Sequence, residues 1–162
     1  MDQRTRISAQ AILTPLLVGR SICGVHFYAN QATLILGAYD GNNTVDFMGP
    51  DEAYLMIEAG WYVPDELTLA LTRTVGGPAA ERLPELVALA CSLRKHPIIS
   101  AQIGESVPHL GLTFADGRTL LVNGWDPQYE VWSITPGEWS VWALANGDIT
   151  WASTHPALRD AV

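Results

Sequence analysis

The stretch from His109 to Ser153 limits the fold more than any other part of this chain. It reads HLGLTFADGRTLLVNGWDPQYEVWSITPGEWSVWALANGDITWAS. ADG, NGWDP, TPGE and ANGD are the glycine, proline, asparagine and aspartate combinations that close tight turns. Between them LGLTF, RTLLV, YEVWSI, WSVWAL and ITWAS are short runs of about five or six residues, rich in β-branched and aromatic side chains. Such runs predict an antiparallel β-meander.

The chain before the meander mixes helix and strand signals. Ile7 to Val18 (ISAQAILTPLLV) predicts a short helix or turn broken near Pro15 and ended by Gly19. RSICGVHFY and QATLILGAY, joined at Ala29–Asn30, predict a β-hairpin, and TVDFM predicts a third strand after the turn at Asp40–Asn43. Gly49–Pro50–Asp51–Glu52 resembles a helix start, so DEAYLMIEA is expected to be helical as far as Gly60. Trp61–Tyr62–Val63 is then a connection, and Pro64–Asp65–Glu66 opens a further segment, LTLALTRT, which reads as helix or strand, the acids after proline favouring helix, and is broken by Gly76–Gly77–Pro78. Leu83, Leu86, Val87, Ala90 and Leu93 form one apolar stripe, which predicts a helix from Ala79 to Lys95 stopped by Pro97. PIISAQIGE predicts the strand that enters the meander.

These elements specify an α+β fold: antiparallel sheet or sheets with a C-terminal β-meander, packed against two or three helices as one domain over residues 1–162. An internal repeat is an open alternative within that fold. Residues 20–51 and 96–126 each read as strand, hairpin, Asp-Gly turn and a strand ending in glycine. On that alignment the two copies are related sheet units.

Seventeen acidic against nine basic residues give a formal charge of −8. That surface repels phosphate backbones and anionic lipid, which argues against nucleic-acid and membrane partners and favours a basic protein partner. MDQRTRISAQ carries charge without an apolar core after it, and no apolar run approaches the ~20 residues of a membrane span. A cytoplasmic location is the expectation. Cys23 and Cys91 sit in apolar contexts and are read as buried free thiols.

Five of the six tryptophans, Trp125, Trp132, Trp139, Trp142 and Trp151, fall in the last third. Strand parity places Trp132 with Ile134, and sets Trp139 with Val141 opposite Trp142. Trp132 and Trp142 are assigned to sheet packing, whereas Trp125 and Trp139, next to turns, stand equally for packing and for contact with a partner. His26 and His109 lie on predicted strands and His96 at a helix end, while His155 is a tail residue. No histidine or cysteine spacing of a metal site occurs, and no nucleophile elbow, phosphate loop or dinucleotide fingerprint. No catalytic residue, metal ligand or cofactor is therefore assigned. The scattered acids, including the Glu81–Glu85 pair, are read as a solvated face. The partner-binding set is Trp125, Asp126, Tyr129, Glu130 and Trp139, where aromatic residues interleave with acids near turns.

LLVGRSICGV near the N-terminus, a hairpin, an Asp-Gly turn and the terminal WALANGDITW together resemble small bacterial domains, some of which look like immunity proteins of polymorphic or contact-dependent toxin systems. The resemblance implies an acidic, single-domain, non-enzymatic inhibitor that plugs the active site of a cognate toxin. It carries over no functional residue position by position. The alternative is a small-molecule or carbohydrate-binding module using the C-terminal tryptophan-rich sheet. An enzyme assembled from remote residues, such as His109 with a carboxylate, has no motif in its favour.

Overall fold

The computed structural model describes residues 1–28, 31–38, 53–58, 60–64, 66–72, 83–94, 96–135 and 139–153. Helix α1 (Gln3–Leu17) is capped by Asp2, whose side chain accepts a hydrogen bond from the Thr5 N–H at 3.1 Å. Its buried Ala9, Ile12, Leu13 and Leu17 lie on one helical face. The expected break at Pro15 does not occur. Proline removes one ladder bond, its own, and here that loss falls in the last turn, where burial of Leu17 holds the helix. Gly19, at φ +88°, ends the helix and donates its N–H to Ile98 at 2.8 Å.

Strands β1 (Arg20–Tyr28), β2 (Gln31–Ala38) and β3 (Ala53–Ile57) follow. The expected helix over DEAYLMIEA is corrected: its described core is β3. Alanine, leucine and methionine form helices readily in isolation, but alternate burial of Ala53, Leu55 and Ile57 fits a pleat. Pairing with β2 on one side and β8 on the other overrides the local preference. Trp61–Tyr62, expected as a connection, is the short strand β4, and Trp61 is buried. Helix α2 (Leu67–Leu71) lies where a helix is expected, and α3 (Leu83–Leu93) lies within the expected Ala79–Lys95 span. The turns at Ala29–Asn30 and Asp40–Asn43, the strand TVDFM, the start at Gly49–Glu52, the Gly76–Pro78 break and His155 lie outside the described residues.

The remaining strands are β5 (Ile98–Ile103), β6 (Leu110–Phe114), β7 (Thr119–Val122), β8 (Trp132–Thr135), β9 (Trp139–Ala143) and β10 (Ile149–Ser153). The strands predicted for the meander are present as β6 to β10, but two sheets divide them. One has the order β1-β2-β3-β8-β9-β10 and the other β4-β7-β6-β5, all antiparallel among the described pairs. Of the segments aligned as a repeat, β1–β2 lies in the first sheet and β5–β6 in the second. Each pair carries a register shift, between Ile22 and Gly24 and between Ile98 and Ser100.

One core joins both sheets and two helices: Leu34, Leu55 and Ile134 from the first sheet, Leu110, Leu112 and Val122 from the second, Leu13 from α1 and Leu93 from α3. The other face of the second sheet is covered by α2 through Ala70, Leu71 and Leu121. Edge strand β5 is shielded by α1. The Gln10 amide donates to the Ala101 carbonyl at 2.7 Å and accepts from the Ile103 N–H at 2.8 Å, completing an edge that would otherwise invite another chain. The C-terminal end of α3 is pinned to the β6–β7 turn. The Arg118 guanidinium donates to the Ser92 carbonyl at 2.8 Å and pairs with Asp116, which also meets His96 at 3.3 Å. Burial pushes the Asp116 carboxyl upward. The hydrogen bonds and charge of Arg118, helped by His96, overcome this and hold it below its ordinary value. Cys23 is buried as expected. Cys91, expected to be buried, is exposed because its position on α3 lies off the apolar stripe. No described helix is long and apolar enough to cross a membrane.

Candidate functional site

The chain passes from the second sheet to the first between Val122 and Trp132, so residues 123–131 form a crossover at one end of both sheets. Its start is locked in the interior. Asn123 bridges Trp125 from its amide, donating to the Trp125 carbonyl at 3.1 Å. The Gly124 N–H donates to Nδ1 of His109, which is fully buried, at 2.9 Å. His109 is thus a buried, hydrogen-bonded residue, and that acceptor role leaves Nδ1 unprotonated. The indole of the buried Trp132 donates to the Pro108 carbonyl at 2.7 Å, tying the end of the crossover to the same loop.

The middle of the crossover is open and acidic. Asp126 closes a turn with its own side chain: Oδ1 accepts from the N–H groups of Gln128 at 2.8 Å and Tyr129 at 2.9 Å. Its carbonyl accepts from the Asn146 N–H at 2.7 Å, anchoring the turn to the 3-10 turn Ala145–Gly147. Trp125 packs half-buried beside Gly147. Tyr129 stands out from the turn with 67% of its surface exposed. Glu130 is half-buried. Burial pushes its carboxyl above the ordinary 4.5, a hydrogen bond from Ser133 opposes this, and the negative charge of Glu58 adds to the rise. Glu58 comes close because its N–H donates to the Val131 carbonyl at 2.9 Å, which extends the β3–β8 ladder by one step.

The structure therefore brings Trp125, Asp126, Tyr129 and Glu130 together, but not Trp139. Trp139 opens β9, four residues before Ala143, which meets the crossover through Val131. That is roughly 13 Å along the strand. Its indole packs on the core and on Trp151, with ring centroids 5.9 Å apart and planes tilted by 56°. This is the cross-strand packing that a tryptophan pair on adjacent strands supplies.

Sequence reasoning missed Trp142 and Glu58. Trp142 is half-exposed on the face of the six-stranded sheet opposite Ile134, in a row with Ser133 and Met56. Strand parity separates Trp142 from Trp139 without saying which of the two faces is inside. Glu58 was hidden inside a segment read as helix. A separate cleft of about 230 Å³, lined by Arg6, Gln10, Gln102 and Glu105 among others, lies beside α1, and none of the sequence-selected residues lines it. Among the described residues, no three histidine, cysteine or acidic side chains converge as a metal site would need. No protein-family model, curated protein or solved structure matches this chain.

Proposed function

We propose that this protein acts by binding another protein, as a non-enzymatic inhibitor of the immunity type that seats against the basic active site of a bacterial toxin in the cytoplasm and occludes it. The observation that carries this reading is the crossover turn. An exposed tyrosine stands between two acids, Asp126 and Glu130, on a loop whose backbone is already fixed by the Asp126 side chain and by Asn146. A preformed loop forfeits little conformational freedom on docking. Tyrosine is among the side chains that dominate interface energies, and acids around it steer a basic partner and fix its register. The formal charge of −8 extends the same attraction beyond the turn.

The test is capture of a partner by the tagged protein from its native lysate, at low salt and at about 0.5 M salt, where exposed charges are largely screened. A stoichiometric basic partner, lost when Tyr129 is replaced by alanine, is the expected result. If no partner is retained at either salt, the reading is wrong. A small-molecule or carbohydrate module is the second reading, favoured by the half-exposed Trp142 alone. A change in tryptophan emission on a sugar panel, without a protein partner, would select it.

A further inference from the structure

The register of the six-stranded sheet aligns one cross-strand row on its outward face: Thr33, Met56, Ser133, Trp142 and Thr150. Ser133 is the small member at its centre, almost fully buried, with half-exposed Met56 and Trp142 on either side. Directly opposed residues place their Cβ atoms about 5 Å apart, so the flanking side chains stand within reach of whatever lies over the serine. What lies there is a carboxylate, because Glu130 takes a hydrogen bond from Ser133. Glu58, exposed, lies one residue past the end of β3 and two after Met56; its N–H donates to the Val131 carbonyl, and its charge acts on the neighbouring Glu130.

We propose that this row is the docking point for an arginine side chain of the partner protein, with its guanidinium stacked on Trp142 and paired with Glu58 and Glu130. The inference rests on the protein-binding reading and names the chemistry it uses. Two carboxylates beside an indole ask for a cation that is flat and offers donors in several directions. Guanidinium meets both demands, whereas an ammonium is a compact point charge without a stacking face. The opposite signs of the acidic pair and the ligand supply the complementarity. Burial holds the Glu130 carboxyl above its ordinary 4.5, and a neighbouring positive charge opposes that rise by favouring the ionised form.

The test titrates the intact protein with triarginine, trilysine and tricitrulline peptides, following the Trp142 indole N–H by NMR and affinity by calorimetry. Triarginine should bind about tenfold more tightly than tricitrulline and shift the Trp142 signal, with trilysine between them. Glu58→Gln, an exposed change with no effect expected on folding, should weaken triarginine about threefold, and Trp142→Leu by about three- to fivefold. Unchanged triarginine affinity in both variants, or equal binding of triarginine and tricitrulline, overturns the proposal. A captured partner that binds both variants as tightly as the parent also overturns it, while leaving the protein-binding reading intact. If no partner is captured but the peptides discriminate as stated, the arginine site stands and that reading falls.

Discussion

The two halves of the crossover obey opposite rules. At residues 123–124 the backbone threads through a space with no room for a methyl group on Gly124, the Asn123 N–H donates to the Gly60 carbonyl, its side chain meets Trp125, and the Gly124 N–H donates to His109. At residues 126–130 the backbone is equally fixed, yet it is fixed by its own Asp126 and by Asn146, and its side chains are exposed or half-buried. The first half belongs to the fold and the second is carried by it. A surface built in this way tolerates replacement of its contacts without loss of structure, which suits a site that must match a partner.

Substitution should break this contrast in a graded order. Gly124→Ala is expected to cost the most, about 3 kcal/mol or more, because the new Cβ would overlap the Pro108 carbonyl and the His109 nitrogen, both backbone atoms. A lowered urea midpoint with an unchanged slope would register it. Trp132→Phe should follow, at about 2 kcal/mol, since it leaves the Pro108 carbonyl without its indole donor in the interior. In the open half, Asp126→Ala should cost about 1 kcal/mol by freeing two N–H groups, whereas Asp126→Asn, which keeps an acceptor at the same place, should cost less than about 0.5 kcal/mol. Tyr129→Ala should leave stability within about 0.5 kcal/mol while lowering affinity for a captured partner. A Tyr129→Ala penalty as large as that of Trp132→Phe would erase the distinction between the halves.

Glu130 gives the smallest effect and the most diagnostic sign. Its folded carboxyl holds a proton more tightly than in the unfolded chain, so the stability it confers is present below the ordinary 4.5 and is lost as pH rises through its raised folded value. Glu130→Gln should therefore stabilise the free protein slightly at neutral pH and change nothing once the pH is well below that ordinary value. Thermal unfolding across that range would show it.

Much of the fold could be read from the chain because its signals are local. Turn dipeptides bracket β5 to β10, the Pro64–Glu66 start precedes α2, and the apolar stripe of α3 repeats at helical spacing. The failures share a nonlocal cause. Ala53–Ile57 is made of good helix formers and becomes a strand only because β2 and β8 meet it from distant parts of the chain. The division of the meander between two sheets likewise leaves no local trace, since a turn between paired strands and a crossover between sheets use the same residues. The candidate site was legible as far as the crossover's interleaved acids and aromatics. Trp139 was misplaced because parity assigns a face to each tryptophan without saying which face is inside. Glu58 became visible only when β3 was known to be a strand lying beside Val131.

The pairing of β3 with β8 has a consequence for how the chain is made. Ile57 meets Trp132 across about 75 residues of sequence, so the middle of the larger sheet closes only after both have been synthesised. At ribosomal rates of about 5–20 residues per second, β3 waits roughly 4–15 s with one edge unpaired. During that interval the nascent chain leaves the apolar edge of β3 open to its surroundings, and the exposure ends when β8 emerges.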